Sequence, residues 1–106
     1  MRLARKKIID QMMVGDSVKI SKISEGEFLV FAKREISKLF AEGVTEKSPE
    51  KFGDIIEVIN NVCDIINIDF YECMKIRSNK RFKEGIYVPV VFSEEFSSDS
   101  KEGPES

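Results

Sequence analysis

The chain of 106 residues has no histidine and no tryptophan, two cysteines, three prolines, and no apolar run near the ~18 residues that a membrane span requires. Without histidine, metal sites and general bases built on imidazole are excluded. A Ser or Cys nucleophile would also lack its usual base partner. Gly15, Gly26, Gly43 and Gly53 occur singly, at punctuation or packing points, and form no loop able to cradle a phosphate. Cys63 and Cys73 are separated by nine residues, unlike a CxxC metal or redox motif, and read as buried free thiols in a reducing compartment. Neither sign of charge dominates, since the net charge is only -2, so general nucleic-acid binding is not indicated. With no spanning segment, and no long apolar region behind the basic start MRLARKKIID, the expectation is a soluble cytoplasmic protein.

The material that is present suits one small domain: 42% of residues are apolar, enough for a single core but not for two. Residues 1–92 form the expected domain. Residues 93–106, acidic, Ser-rich and nearly free of apolar side chains, read as a disordered tail.

Helical periodicity dominates. Residues 5–13 suit a short helix ended by Gly15 and Asp16, and SVKISKI alternates as a short extended piece. Ser24 and Glu27 form a capping box that opens a long helix through Phe28, Phe31, Ala32, Ile36, Leu39 and Phe40, with Gly43 at the position of a left-handed C-terminal cap. Ser48-Pro49 starts a second long helix whose apolar positions Phe52, Ile55, Ile56, Ile59, Val62, Cys63 and Ile66 predict one continuous buried stripe. Asp69 and Glu72 open a third helix ending near Gly85. IYVPVVF follows, β-prone but restricted by Pro89 to an edge strand or extended arm. The predicted fold class is all-α: an antiparallel bundle of two long helices plus shorter ones, with little strand. Val58 and Ile65 add apolar surface outside the main stripe of the second long helix. The bundle is therefore expected to be completed by oligomerisation, as a homodimer or a dimer of dimers.

Carboxylates and cations are the remaining carriers of chemistry. Glu50, Asp54, Glu57 and Asn61 recur at helical spacing along one side of the second long helix. Such a stripe suits either a solvated face or half of a Mg²⁺ site completed by a facing helix. Arg77 and Lys80, flanked by Lys75, Arg81 and Lys83, suit a phosphate grip, although a helix C-terminus also favours basic residues through its dipole.

In order and spacing these segments resemble the MazG-like, or all-α, nucleoside triphosphate pyrophosphohydrolases, and among them the small proteins close to phosphoribosyl-ATP pyrophosphohydrolase. RLARKKIIDQM is similar to the family's K-L-V-R-D-K-I-P-E-I opening at Leu3, Arg5, Lys7 and Ile8. GEFLVFAKREISKLF lies where the family has its E-E-x-x-E helix. DIIEVINNVCDIINID is similar to D-V-L-E-V-I and the helix that follows, and RSNKRFKEGIYVPVVF keeps Arg77, Lys80 and Gly85 of R-x-x-K-x-x-x-R-G-G-F. The resemblance spans residues 2–92. It implies Mg²⁺-dependent release of pyrophosphate from a nucleotide, with metal held by carboxylates on two helices.

Position by position, the five family carboxylates fall on Arg34, Glu35, Lys38, Lys51 and Asp54. Two carboxylates and three cations give +1 where the family carries -5, and at ~4 Å such cations repel a metal by several kcal/mol at intermediate dielectric. The ending departs as well, with Glu84-Gly85-Ile86-Tyr87 in place of R-G-G-F. Two readings follow. In one, Glu35, Asp54, Glu57 and, more weakly, Glu50 hold Mg²⁺, with Arg77 and Lys80 on phosphate. In the other, the chain is an inactive member that binds a nucleotide or phosphate directly through Arg34, Lys38 and Lys51, or acts as a regulatory partner. A third arrangement has the three cations pair with nearby carboxylates and seal the pocket.

Overall fold

A computed structural model describes residues 2–15, as backbone only for 12–15, and residues 20–93. These form four helices and no strand: α1 (Lys6–Gly15), α2 (Glu25–Glu46), α3 (Pro49–Ile65) and α4 (Phe70–Glu84). No helix among the described residues is long and apolar enough to cross a membrane. Asp16, residues 17–19 of the expected extended piece, and the acidic tail beyond Ser93 lie outside the described residues.

The α2–α3 hairpin is the centre of the first of two compact units, Met1–Met74. Ser24 opens α2 as anticipated: its hydroxyl accepts from the Glu27 N–H at 3.1 Å, while the Glu27 carboxylate accepts from the Ser24 N–H at 2.9 Å. The other end differs from expectation. Gly43 does not cap α2; the helix runs on to Glu46, and Lys47 takes the left-handed conformation (φ 53°). The Gly43 carbonyl accepts from the Lys47 and Ser48 N–H groups, the latter at 3.1 Å. Gly43 serves instead as the point of closest approach. A Cβ there would lie 2.9 Å from the Phe52 ring and 3.3 Å from Lys51 Cβ.

Ser48 then caps α3, its hydroxyl accepting from the Lys51 N–H at 3.2 Å, with Pro49 in the first turn. With only Lys47 and Ser48 between them the helices are antiparallel: Gly43 faces Phe52, and Phe40 meets Phe52 edge-on at 6.1 Å. Toward the far end, Leu29, Ala32, Ile36 and Val62 line a shallow, open depression of about 280 Å³.

Within one chain this hairpin buries little. The buried apolar side chains are Ala32 and Leu39 of α2 and Ile55 and Cys63 of α3. The stripe predicted to be continuously buried is not: Phe52, Ile56, Ile59 and Ile66 remain exposed, as do Phe40 and Val44 on α2. A pair of helices has only one mutual face. Each apolar stripe here is wider than that face, so its outer edge stays in solvent.

Asn67 (φ 63°) turns the chain after α3, and the Ile68 N–H returns to the Cys63 carbonyl at 2.8 Å. Asp69 caps α4 by accepting from the Tyr71 N–H at 2.9 Å. The second unit, Lys75–Ser106, contains the rest of α4 and an arm after Gly85 (φ 88°). None of its described residues is buried. Residues 86–93 form no strand. They are irregular and exposed, with a tight turn at Pro89, where the Val90 N–H reaches the Val88 carbonyl at 2.7 Å.

Candidate functional site

The charged surface of the hairpin is organised by the residues that precede α1. Arg2 grips Glu35 of α2 with both arms of its guanidinium, Nε to Oε1 at 3.1 Å and Nη2 to Oε2 at 2.5 Å. This two-pronged geometry matches the plane of a carboxylate and makes a strong, directional ion pair. Glu35 receives it in a half-closed setting, with its side chain only 13% exposed. Arg5 reaches α3 with one arm only, its Nη2 donating to Asp54 Oδ1 at 2.6 Å. Its carbonyl also starts α1 by accepting from the Ile8 and Ile9 N–H groups.

A second ion cluster lies beside the first. Lys51 Nζ donates to Glu42 Oε1 at 2.8 Å and lies 3.9 Å from Glu46 Oε2. The Lys51 hydrogen bond holds the Glu42 carboxyl below its ordinary range, with Lys38 and Arg2 acting in the same direction. Reciprocally, the Glu42 bond raises Lys51. Arg2 is raised by its bond to Glu35 first, and also by the charges of Glu35 and Glu42. Arg2 therefore feels both clusters, which form one lattice of alternating charge along the hairpin.

Of the positions expected to carry function, Glu35, Lys51 and Asp54 all lie in this lattice, each with a partner of opposite sign. Lys38 is exposed and acts on Glu42 through charge. Arg34 is held elsewhere, its guanidinium 5.5 Å from the centre of the Phe31 ring. Glu57 is half-buried one turn beyond Asp54 and accepts from Asn61 Nδ2 at 3.1 Å, so the polar stripe of α3 is internally bonded. Glu50 is exposed in the first turn of α3. Arg77 and Lys80 are exposed on α4, in the second unit.

A divalent cation at Glu35 and Asp54 would have to compete with the arginines that these carboxylates already engage. Magnesium needs several oxygen ligands with free lone pairs around one point. Among the described residues, no three Asp, Glu, Cys or His side chains converge in that way. The two carboxylates retained at the expected metal positions, Glu35 and Asp54, already accept from arginines. The ion network anticipated for the helix cations is thus built mainly with other partners.

Arg2, Glu42 and Glu46 are not among the site residues to which the sequence points, and Arg5 enters there only as a motif match. Two signals were available. Four basic residues crowd the first seven positions, and Lys38, Glu42 and Glu46 follow one another at steps of four on α2. Comparison of the chain with family models, with curated proteins and with solved structures finds no match.

Proposed function

We propose that this protein is a catalytically silent relative of the all-α nucleoside triphosphate pyrophosphohydrolases that binds a nucleotide or polyphosphate through its own cations, without a metal. The observation that carries this reading is the engagement of Glu35 by Arg2 and of Asp54 by Arg5. A metal taking these carboxylates must first displace two charge-assisted contacts. A phosphate, like a carboxylate, offers an arginine two oxygens that accept its parallel N–H groups together. Arg2, Arg5, Lys38 and Lys51 supply positive charge along one hairpin, with Lys38 exposed to meet an anion. Arg77 and Lys80 are further candidates for phosphate contact.

The functional form is a homodimer or a dimer of dimers in the cytoplasm. The exposed row Phe52, Ile56, Ile59 and Ile66 on α3, with Phe40 and Val44 on α2, supports it. That row keeps helical spacing, so a second hairpin can lie along it and close a four-helix bundle.

Calorimetry tests the binding. Inorganic pyrophosphate and nucleoside triphosphates are titrated into the protein with Mg²⁺ and, separately, with a chelator, and released pyrophosphate is measured in parallel. Equal affinity with and without metal, and no release above background, is the expected result. Release that depends on Mg²⁺ restores the hydrolase reading, with Glu35, Asp54, Glu57 and Glu50 as ligands. Absence of binding under both conditions leaves only a role in protein association.

A further inference from the structure

From Lys75 onward α4 is strongly basic. Lys75, Arg77, Lys80, Arg81 and Lys83 stand against one carboxylate, Glu84, and all of them are exposed. None of the five makes an ion pair among the described residues. The helix dipole favours cations in the last turn only, which accounts for Arg81 and Lys83 but leaves Lys75, Arg77 and Lys80 unexplained by the fold. Directly after Gly85 the chain exposes a run of apolar side chains: Ile86, Tyr87, Val88, Val90 and Val91 are each more than half exposed, Val91 at 91%. Single exposed apolar residues are ordinary, but a contiguous run beside unpaired cations marks a surface that meets a partner.

We propose that this surface binds an anionic lipid bilayer, with the α4 cations on the phosphate-bearing headgroups and the run from Ile86 to Val91 dipping into the boundary with the acyl chains. Apolar area and positive charge side by side are the two attractions that hold a segment at such an interface. The run is far shorter than the ~20 residues that cross a membrane, so it lies in the surface. Shallow insertion also suits its backbone, because unpaired N–H groups are costly in hydrocarbon. Pro89 carries no N–H, and the Val90 N–H is taken by the Val88 carbonyl. Glu94 and Glu95 follow in the sequence and, repelled by anionic lipid, set the limit of insertion.

The composition of the run selects this partner over a single-stranded nucleic acid, whose bases are bound by stacking on aromatic rings. Ile86, Val88, Val90 and Val91 have no ring to offer and gain instead from hydrocarbon. An apolar groove on another protein would receive the run but leave the five cations unanswered. The inference rests on α4 and the run alone. The hairpin cations Arg2, Arg5, Lys38 and Lys51 take no part, so binding of pyrophosphate measured without lipid can fail or succeed independently of it.

The test is co-sedimentation of the full chain with vesicles of phosphatidylcholine alone, or of phosphatidylcholine and phosphatidylserine in equal parts, at low and high salt. Wild type is expected to bind the mixed vesicles about tenfold or more tightly than the neutral ones, and to weaken as salt rises. Lys75→Glu with Lys80→Glu, and separately Val90→Asp with Val91→Asp, should each lower that binding about tenfold while circular dichroism shows unchanged helix content, since all four side chains are exposed. The chain has no tryptophan, so Tyr87→Trp supplies a single reporter whose emission should move to the blue on the mixed vesicles and be quenched by brominated lipid. Wild type that stays in solution with the mixed vesicles, or pellets equally with the neutral ones, would overturn the proposal. Tighter binding to a single-stranded oligouridylate than to the vesicles, or full binding by the Val90→Asp, Val91→Asp protein, overturns it as well. The comparison of vesicles is made on wild type and does not depend on the variants folding.

Discussion

Replacing Gly43 by alanine should destabilise the protein, although alanine is the better helix former. In an open helix the exchange gains about 1 kcal/mol. Here the new Cβ would sit 2.9 Å from Phe52 Cε2 and 3.3 Å from Lys51 Cβ, inside the ~3.5–4.0 Å optimum for carbon atoms. The ring must swing away from its edge-on contact with Phe40, and the Lys51 contact resists because it lies close to the α3 backbone. Such overpacking costs about 1–3 kcal/mol, leaving a net loss of about 1 kcal/mol. For a chain of this size that lowers the thermal midpoint by about 5 °C. Thermal and urea unfolding followed by circular dichroism, at one fixed protein concentration, measure it. The sign should reverse in a Phe52→Ala background, where the ring is gone and Gly43→Ala becomes favourable by about 0.5 kcal/mol. A Gly43→Ala protein more stable than wild type with Phe52 intact would refute the close approach of α2 and α3 at this point.

Other outcomes follow from the same geometry. Lys47 pays for a left-handed conformation, so Lys47→Gly should raise stability by about 0.5–1 kcal/mol, read as a higher urea midpoint with an unchanged slope. The Glu42 carboxyl is held below its ordinary value of 4.5 by Lys51, so its contribution is present above pH 4.5 and is lost as pH falls through the lower folded-state value. Glu42→Gln should therefore flatten the acid limb of a stability-against-pH curve and lower stability at neutral pH. The same pair raises Lys51 above 10.5, so its contribution is fully present below that pH and is lost only as pH rises through the higher folded-state value. Ile56, 53% exposed, lies on the face proposed for a second copy; if that face pairs, Ile56→Asp should leave only monomer in sedimentation velocity with its helix content in place.

The all-α fold and most helix limits were legible because they rest on local signals. Ser24 with Glu27, Ser48 with Pro49, and Asp69 each mark a start that needs only neighbouring residues. Gly43 was misleading for a physical reason: a glycine four residues from a helix end satisfies a capping pattern as well as a packing demand, and only the position of Phe52 decides between them. The cysteines were similar, since helical spacing placed both in apolar patterns but could not say that α4 leaves Cys73 in solvent. At the charged site the sequence identified which residues carry charge, not which meet. Arg2 with Glu35 and Arg5 with Asp54 are 33 and 49 residues apart, and no local periodicity encodes such pairs.

The most direct test of the account is a crystal structure of the protein soaked with Mn²⁺ and a nucleotide, using the anomalous signal of manganese to find the ion. The account predicts no manganese between Glu35 and Asp54, the Glu35 carboxylate still gripped by Arg2 or Arg2 transferred to a phosphate, and the phosphate chain beside Lys38 and Lys51. A manganese ion coordinated by Glu35 and Asp54, with Arg2 and Arg5 swung aside, would contradict it.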